Sequence, residues 1–221
     1  MSLEAISEAL QKGRAQDVKT LVQEAIDAGT PPKEILEGGL MAGMDVIGRK
    51  FKANEVYVPE VLIAARAMNG GIEILRPLLV RDAVEPAGTI VIGTVKGDLH
   101  DIGKNVVKMM LEGKGFNVID LGTDVSSEQF VAAAREHKAD IICCSALLTT
   151  TMGEIKTVVA EIDKAGIRPG VQIMIGGAPI TEEYSTSVGA DAYAPDGTSA
   201  AEKAIELVRR SGTNKNQERT P

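Results

Sequence analysis

The chain has 221 residues, room for one or two domains, and 44% of them are hydrophobic, enough for a sizeable core although only 3% are aromatic and none is Trp. A net charge of -7 speaks against nucleic acid as the main partner, because phosphate binding asks for a basic surface. No run of roughly 18 apolar residues offers a membrane span, and Met1-Ser2-Leu3-Glu4 does not open a secretory signal, so a cytoplasmic location is expected.

Up to Glu85-Pro86-Ala87-Gly88 the pattern is helical throughout. A short first helix from Ser2 to Lys12 is followed by Val18, Leu21, Val22, Ala25 and Ile26 at i, i+3, i+4 spacing, closed by Gly29. Thr30-Pro31 signals the next start, with Leu36, Leu40, Met44, Ile47 and Phe51 along one face. After Ala53-Asn54, Pro59 opens a last helix striped by Leu62, Ala65, Met68 or Asn69, Ile72 and Leu75, ending before Pro77. Short connections make these antiparallel neighbours in a four-helix bundle, residues 1–87.

Strands and helices then alternate. The β-branched run Thr89-Ile90-Val91-Ile92-Gly93-Thr94-Val95 opens five βα units, with strands at 89–95, 117–122, 140–146, 171–176 and 191–194. The helices fall at 103–114, 126–137, 152–165, 181–187 and 198–210. This predicts a flavodoxin-like (Rossmann-type) five-stranded parallel sheet wrapped by helices over 88–211, before a disordered tail, 212–221. Cys143 and Cys144 are adjacent in a predicted buried strand, a poor disulfide geometry that suits reduced core residues. His137, in the polar helix end Arg135-Glu136-His137-Lys138, reads as a solvated surface residue.

The chemistry concentrates in Asp98-Leu99-His100-Asp101-Ile102-Gly103, just past the first strand. That is where open α/β sheets bind ligands. An imidazole there suits cobalt, iron, nickel or zinc, and Asp98 is placed to fix its tautomer. Taken alone, the pair also reads as an ordinary loop histidine beside a capping carboxylate. Two further elements follow downstream, Ser145-Ala146-Leu147 and Gly176-Gly177.

Asp-x-His-x-x-Gly, Ser-x-Leu and Gly-Gly in that order resemble the cobalamin-binding signature of corrinoid methyltransferases and some cobalamin mutases. Gly93 to Asn105 is especially similar to the cobalamin module of methionine synthase and of the small corrinoid proteins of methyltransferase systems. The resemblance implies cobalamin bound with its benzimidazole off the metal, and His100 as the axial ligand to cobalt. Asp98 and Thr151 would complete a relay behind it, Thr151 standing where the family usually has Ser, six residues after Ser145. Thr151 reads equally as the N-cap of the helix that starts at Met152. Gly176 and Gly177 would leave a slot for the buried nucleotide tail, lined by Ser145 and Leu147, or serve as a plain strand-to-loop turn. Cofactor contacts are also implied for Asp101, Ile102, Gly103 and Thr149. The bundle corresponds to the helical cap over the upper cobalt face, with Phe51, Val58 and Val61 as cap residues or simply as core.

The function implied is a corrinoid protein carrying methylcobalamin when loaded. It would shuttle methyl groups between a substrate-specific methyltransferase and a second one serving tetrahydrofolate or a thiol cofactor, with a reductive activase as a further partner. Bundle and sheet use up the chain and leave nothing to bind a methyl donor, so catalysis would belong to the complex. The alternatives are a cobalamin-dependent sensor or regulator and the small subunit of an adenosylcobalamin mutase. Sensors typically carry a DNA-binding domain and a Trp followed by a Glu-His pair; here there is no Trp, and Val61-Leu62 stands at the pair's position.

Overall fold

The computed structural model describes the backbone of residues 2–168 and 170–217. They form two compact units, residues 1–86 with 113–115, and residues 87–112 with 116–221.

The helical unit holds α1 (Leu3–Gln11), α2 (Ala15–Asp27), α3 (Pro32–Glu34), a π-helical segment (Ile35–Met41), α4 (Ala42–Lys52) and α5 (Val58–Arg81). α3, the π segment and α4 run on as one rod, so four rods make the expected bundle. Ser2 caps α1 by accepting the Glu4 N–H at 3.2 Å, and Glu60 closes the start of α5 on the Tyr57 N–H at 3.1 Å.

Two details depart from the expected stripes. In the third rod Ile35, not Leu36, is buried with Leu40, Met44 and Ile47. A π turn brings i and i+5 to one face, which is the spacing of Ile35 and Leu40. Gly38 and Gly39 lie inside that turn, where added Cβ atoms would sit 2.9 Å from Leu3 and 3.1 Å from Ile6, so their smallness lets α1 approach.

On α5 the buried residues are Val61, Ala64, Ala65, Ala67, Met68, Gly70, Gly71 and Leu75, while Leu62 is 49% exposed. Close helix contact selects small side chains here: a Cβ on Gly71 would lie 2.8 Å from Leu40 and 3.2 Å from Val18. Of the expected stripe Ala65, Met68 and Leu75 are buried and Ile72 is half-buried, while Leu62 falls off the packed face. α5 also continues through Pro77 to Arg81, because Pro77 and Glu73 are exposed and the carbonyl that Pro77 cannot serve is open to water.

The α/β unit is a five-stranded parallel sheet in the order β2-β1-β3-β4-β5, as a flavodoxin-like fold requires. Its elements are β1 (Thr89–Thr94), α6 (Ile102–Gly113), β2 (Asn117–Asp120), α7 (Ser127–Glu136), β3 (Ile141–Ser145), α8 (Met152–Lys164), β4 (Gln172–Gly176), α9 (Glu182–Val188), β5 (Ala192–Tyr193) and α10 (Gly197–Gln217). The strands lose one or two residues at their ends against expectation, and α10 outruns its predicted end at 210. The rest of the expected tail, 218–221, lies outside the described residues.

The central strands are buried on both faces; on one of them Val91 pairs with Ile142, and Ile142 with Ile173, all 0% exposed. Phe130 of α7 fills that face over Gly93, where a Cβ would come within 2.9 Å of its ring. Cys143 and Cys144 point to opposite faces of β3 as free, buried thiols. Burial pushes both thiols up, Cys144 to about 12, which leaves them unreactive. Among the described residues no helix is long and apolar enough to cross a membrane.

Candidate cofactor site

β1 lies between β2 and β3, so the chain leaves it at the point where strand order reverses, and the loops after β1 and β3 border a crevice. After Val95 the chain turns sharply: Asp98 N–H donates to the Val95 carbonyl at 3.1 Å and Gly97 takes φ +78°, a conformation that favours glycine. Asp124 braces the turn, accepting the Gly97 N–H at 2.7 Å and donating its own N–H to the Asp98 carbonyl at 3.0 Å.

The turn buries the Asp98 side chain completely and leaves the His100 ring 51% exposed. Asp98 Oδ1 lies 2.7 Å from His100 Nδ1 and accepts the His100 N–H at 3.1 Å. Oδ2 accepts the N–H groups of Leu147 at 2.8 Å and Leu148 at 3.3 Å, and the Thr151 hydroxyl at 2.8 Å. Burial alone would push this carboxyl up. The donors from Leu147, His100 and Thr151 outweigh it and hold Asp98 well below the usual carboxylate range. An ionised carboxylate only accepts, so the proton on this contact belongs to Nδ1, and in the neutral ring Nε2 carries the lone pair.

Thr151 precedes α8 but makes no capping bond with its side chain; the hydroxyl is taken by Asp98 and lies 3.0 Å from the Leu148 carbonyl. Thr151 thus stands at the N-cap position of α8, as one of its two readings has it, while its hydroxyl serves Asp98, as the other has it. The Ser145 hydroxyl, half-buried at the end of β3, makes no hydrogen bond among the described residues, and Thr149 is exposed. Asp101, also exposed, accepts from the Asn105 backbone and side chain at 2.8 and 3.0 Å and so anchors the start of α6.

The glycines divide. A Cβ on Gly103, in the first turn of α6, would meet nothing within 4 Å, so the folded chain itself does not demand glycine there. Gly176 and Gly177 are demanded by backbone: their Cβ atoms would lie 2.9 Å from the Ala194 carbonyl oxygen and 1.8 Å from that of Ala146, and Gly177 has φ +133°. Of the two readings these glycines allow, a strand-to-loop turn against neighbouring main chain accounts for both by itself. Phe51, Val58 and Val61 belong to the helical unit, Val61 buried and the other two half-buried.

Sequence reasoning passed over two features. In the α/β unit the most exposed large apolar side chains are Leu99 and Ile102, both 73%, with Leu147 at 42% and Leu148 at 40%. Leu99, Leu147 and Leu148 stand on the loops that carry His100 and hold Asp98, and Ile102 opens α6 directly after the first of them. Leu99 and Leu148 could have been found as large apolar residues in short loops at strand ends, where solvated side chains are usual. The second is the ion pair of buried Lys104 with Asp120, 2.6 Å apart, joined by Lys108 at 3.4 Å, which ties α6 to the end of β2.

Among the described residues no three His, Cys, Asp or Glu side chains are grouped to hold an ion. An imidazole oriented by a buried carboxylate and left half-exposed can serve as a single protein ligand to a metal whose other ligands come with a cofactor. Fold and site are thus those of an α/β protein with a ligand-capable histidine at the switch point of its sheet. The family model described as a B12 binding domain matches residues 88–205, and a second model so described matches residues 2–76; the chain belongs to this family, and its cofactor is cobalamin.

Its relatives include trimethylamine corrinoid protein 1 of Methanosarcina mazei, 44% identical over 182 residues that cover 81% of this chain and 84% of the relative. Dimethylamine corrinoid protein 3 of Methanosarcina acetivorans is 40% identical over 205 residues, 93% of this chain and 90% of that one. Among solved structures, a chain of the methanol:cobalamin methyltransferase complex MtaBC from Methanosarcina barkeri superposes with a TM-score of 0.84 at 31% identity, covering 94% of this chain and 79% of its own.

Proposed function

We propose that the protein is a corrinoid methyl carrier that binds cobalamin with the cofactor's own base off the metal and His100 in its place. The observation that carries this reading is the 2.7 Å contact of His100 Nδ1 with a buried, ionised Asp98, which turns a half-exposed imidazole into an oriented donor through Nε2. Bound cobalamin supplies a cobalt centre that accepts and gives up a methyl group. His100 ligates, Asp98 fixes the ring's tautomer, and Thr151 with the Leu147 N–H fixes Asp98. Asp101, Ile102, Gly103, Leu147 and Thr149 would contact the cofactor near the ligand, Ser145, Gly176 and Gly177 would lie toward its nucleotide tail, and Phe51, Val58 and Val61 are the helical unit's own candidates for cofactor contact. The names of the relatives and the methyltransferase complex of the structural neighbour support partnership with a substrate-specific methyltransferase and put methylamines first among donors to assay; an acceptor-side methyltransferase and a reductive activase are the further partners of this reading.

Electron spin resonance of the cobalt(II)-loaded protein grown with ¹⁵N-histidine tests the ligation. Coupling to a labelled protein nitrogen is expected; coupling to the cofactor's base alone overturns the proposal. His100→Ala should bind cobalamin about tenfold more weakly and lose the labelled coupling.

Gly103→Ala separates cofactor contact from folding. With open space around the new methyl and a helical position that favours Ala, stability in urea should hold or rise by about 0.5–1 kcal/mol. Cobalamin affinity should still fall, about tenfold, because the methyl enters the cofactor's space. Unchanged affinity removes Gly103 from the contact set.

A further inference from the structure

Thr94 ends β1 with no exposed surface, and its hydroxyl donates to the His100 carbonyl at 2.8 Å. The backbone of Thr94 is itself held on the β2 side of the crevice: its N–H donates to the Gly122 carbonyl and its carbonyl accepts the Val125 N–H, each at 3.0 Å. The Asp98 carboxylate, by contrast, is held from the β3 side, through Leu147, Leu148 and Thr151, while its carbonyl accepts the Asp124 N–H. His100 thus has one anchor on each side of the reversal in strand order, one at its ring and N–H and the other at its carbonyl.

The Asp98 contacts alone leave the ligand loop a freedom. Asp98 is fixed at its carboxylate and, through Asp124, at its carbonyl, but Leu99 and His100 lie beyond both holds, so the ring can keep its partner while the backbone at His100 pivots. A second fixed point at the His100 carbonyl removes that pivot. We infer that Thr94 is a positioning residue for the axial ligand, its hydroxyl holding the His100 backbone so that the imidazole meets cobalt without first having to be ordered. The inference rests on His100 ligation as proposed above. A ligand held in place binds better than one that must be immobilised on binding, by the entropy it does not lose.

The test uses the full-length, cobalamin-loaded chain with ¹⁵N-histidine, reduced to cobalt(II) and titrated with unlabelled imidazole. Spin resonance distinguishes the two ligands, since coupling to ¹⁵N gives a doublet and to ¹⁴N a triplet. The quantity read is the imidazole concentration that replaces half of the protein-ligand signal. Thr94→Val keeps the shape and removes the hydroxyl, and should lower that concentration about three- to tenfold, the range for losing one hydrogen bond. Thr94→Ser keeps the hydroxyl and should stay within about twofold of wild type, with Thr94→Cys, a weaker donor, between them.

A wild-type concentration for Thr94→Val overturns the inference, as does a Ser variant as weak as Val, which would assign the effect to methyl packing. Should Val not fold, the Ser and Cys pair decides, and equal values overturn it. Absence of the ¹⁵N doublet in the wild type overturns histidine ligation itself, and with it this role for Thr94.

Discussion

Gly177→Ala should destabilise the α/β unit by about 4 kcal/mol, among the larger effects a single methyl group can have. Two costs combine. At φ +133° an L-residue is strained by about 1–3 kcal/mol wherever it stands. The new Cβ would also fall 1.8 Å from the Ala146 carbonyl oxygen, so the exits of β3 and β4 must separate. Those exits are joined by the bond from Ala146 N–H to the Gly176 carbonyl at 3.2 Å, which the separation breaks. Urea unfolding of the cofactor-free protein followed by circular dichroism gives the measurement, with Gly103→Ala as a control that adds the same methyl to the same unit. A shift for Gly177→Ala no larger than about 1 kcal/mol would show that the strand exits relax freely. Cobalamin binding should be lost alongside stability, because Ala146 lies between Ser145 and Leu147 on the loop that holds Asp98.

The contrast between these glycines shows what the sequence made legible and what it hid. Strand and helix positions follow from periodicity, because burial of apolar residues at a fixed spacing is what builds the elements, and their alternation selects the flavodoxin-like sheet. Asp98, His100 and Thr151 were legible as a set because the motif orders them along the chain. The part played by each motif glycine was not, since Gly103 and Gly177 look alike in sequence and differ only in what surrounds their Cβ positions. The face of α5 was legible at Ala65, Met68 and Leu75 but not at Leu62, for a related reason. Its contacts run through Ala64, Gly70 and Gly71, small residues that carry little hydrophobic signal but decide how near another helix can come. The π turn at Ile35–Met41 was invisible to a search at α-helical spacing, although two consecutive glycines marked where the helix is easiest to distort. Thr94 and Asp124 escaped notice because their roles are made by hydrogen bonds to backbone, which no residue pattern announces.

Asp98→Ala should cost about 3–4 kcal/mol in the cofactor-free protein and leave the ligand loop unordered. The carboxylate accepts the Thr151 hydroxyl and the N–H groups of His100, Leu147 and Leu148, and it faces the His100 ring. Removing it strands donors drawn from both sides of the crevice, whereas Asp98→Asn retains one acceptor oxygen and should lose about half as much. The pH dependence follows from the direction of the shift. Asp98 in the fold lies well below its unfolded value of about 3.9, so between those two values the unfolded chain binds a proton that the native chain does not. Its contribution is fully present above pH ~4 and fades as pH falls toward the folded value. Other carboxylates, Asp120 among them, are shifted the same way, so acid weakens every variant and only the difference between variants isolates Asp98. The wild type should therefore lose more stability between pH 6 and pH 3 than Asp98→Asn, with the two urea midpoints converging in acid. Parallel loss in the two proteins would mean that the carboxylate's charge does not hold the loop. In that case the neutral amide would order His100 as well, and cobalamin-loaded Asp98→Asn should show the same histidine coupling as the wild type.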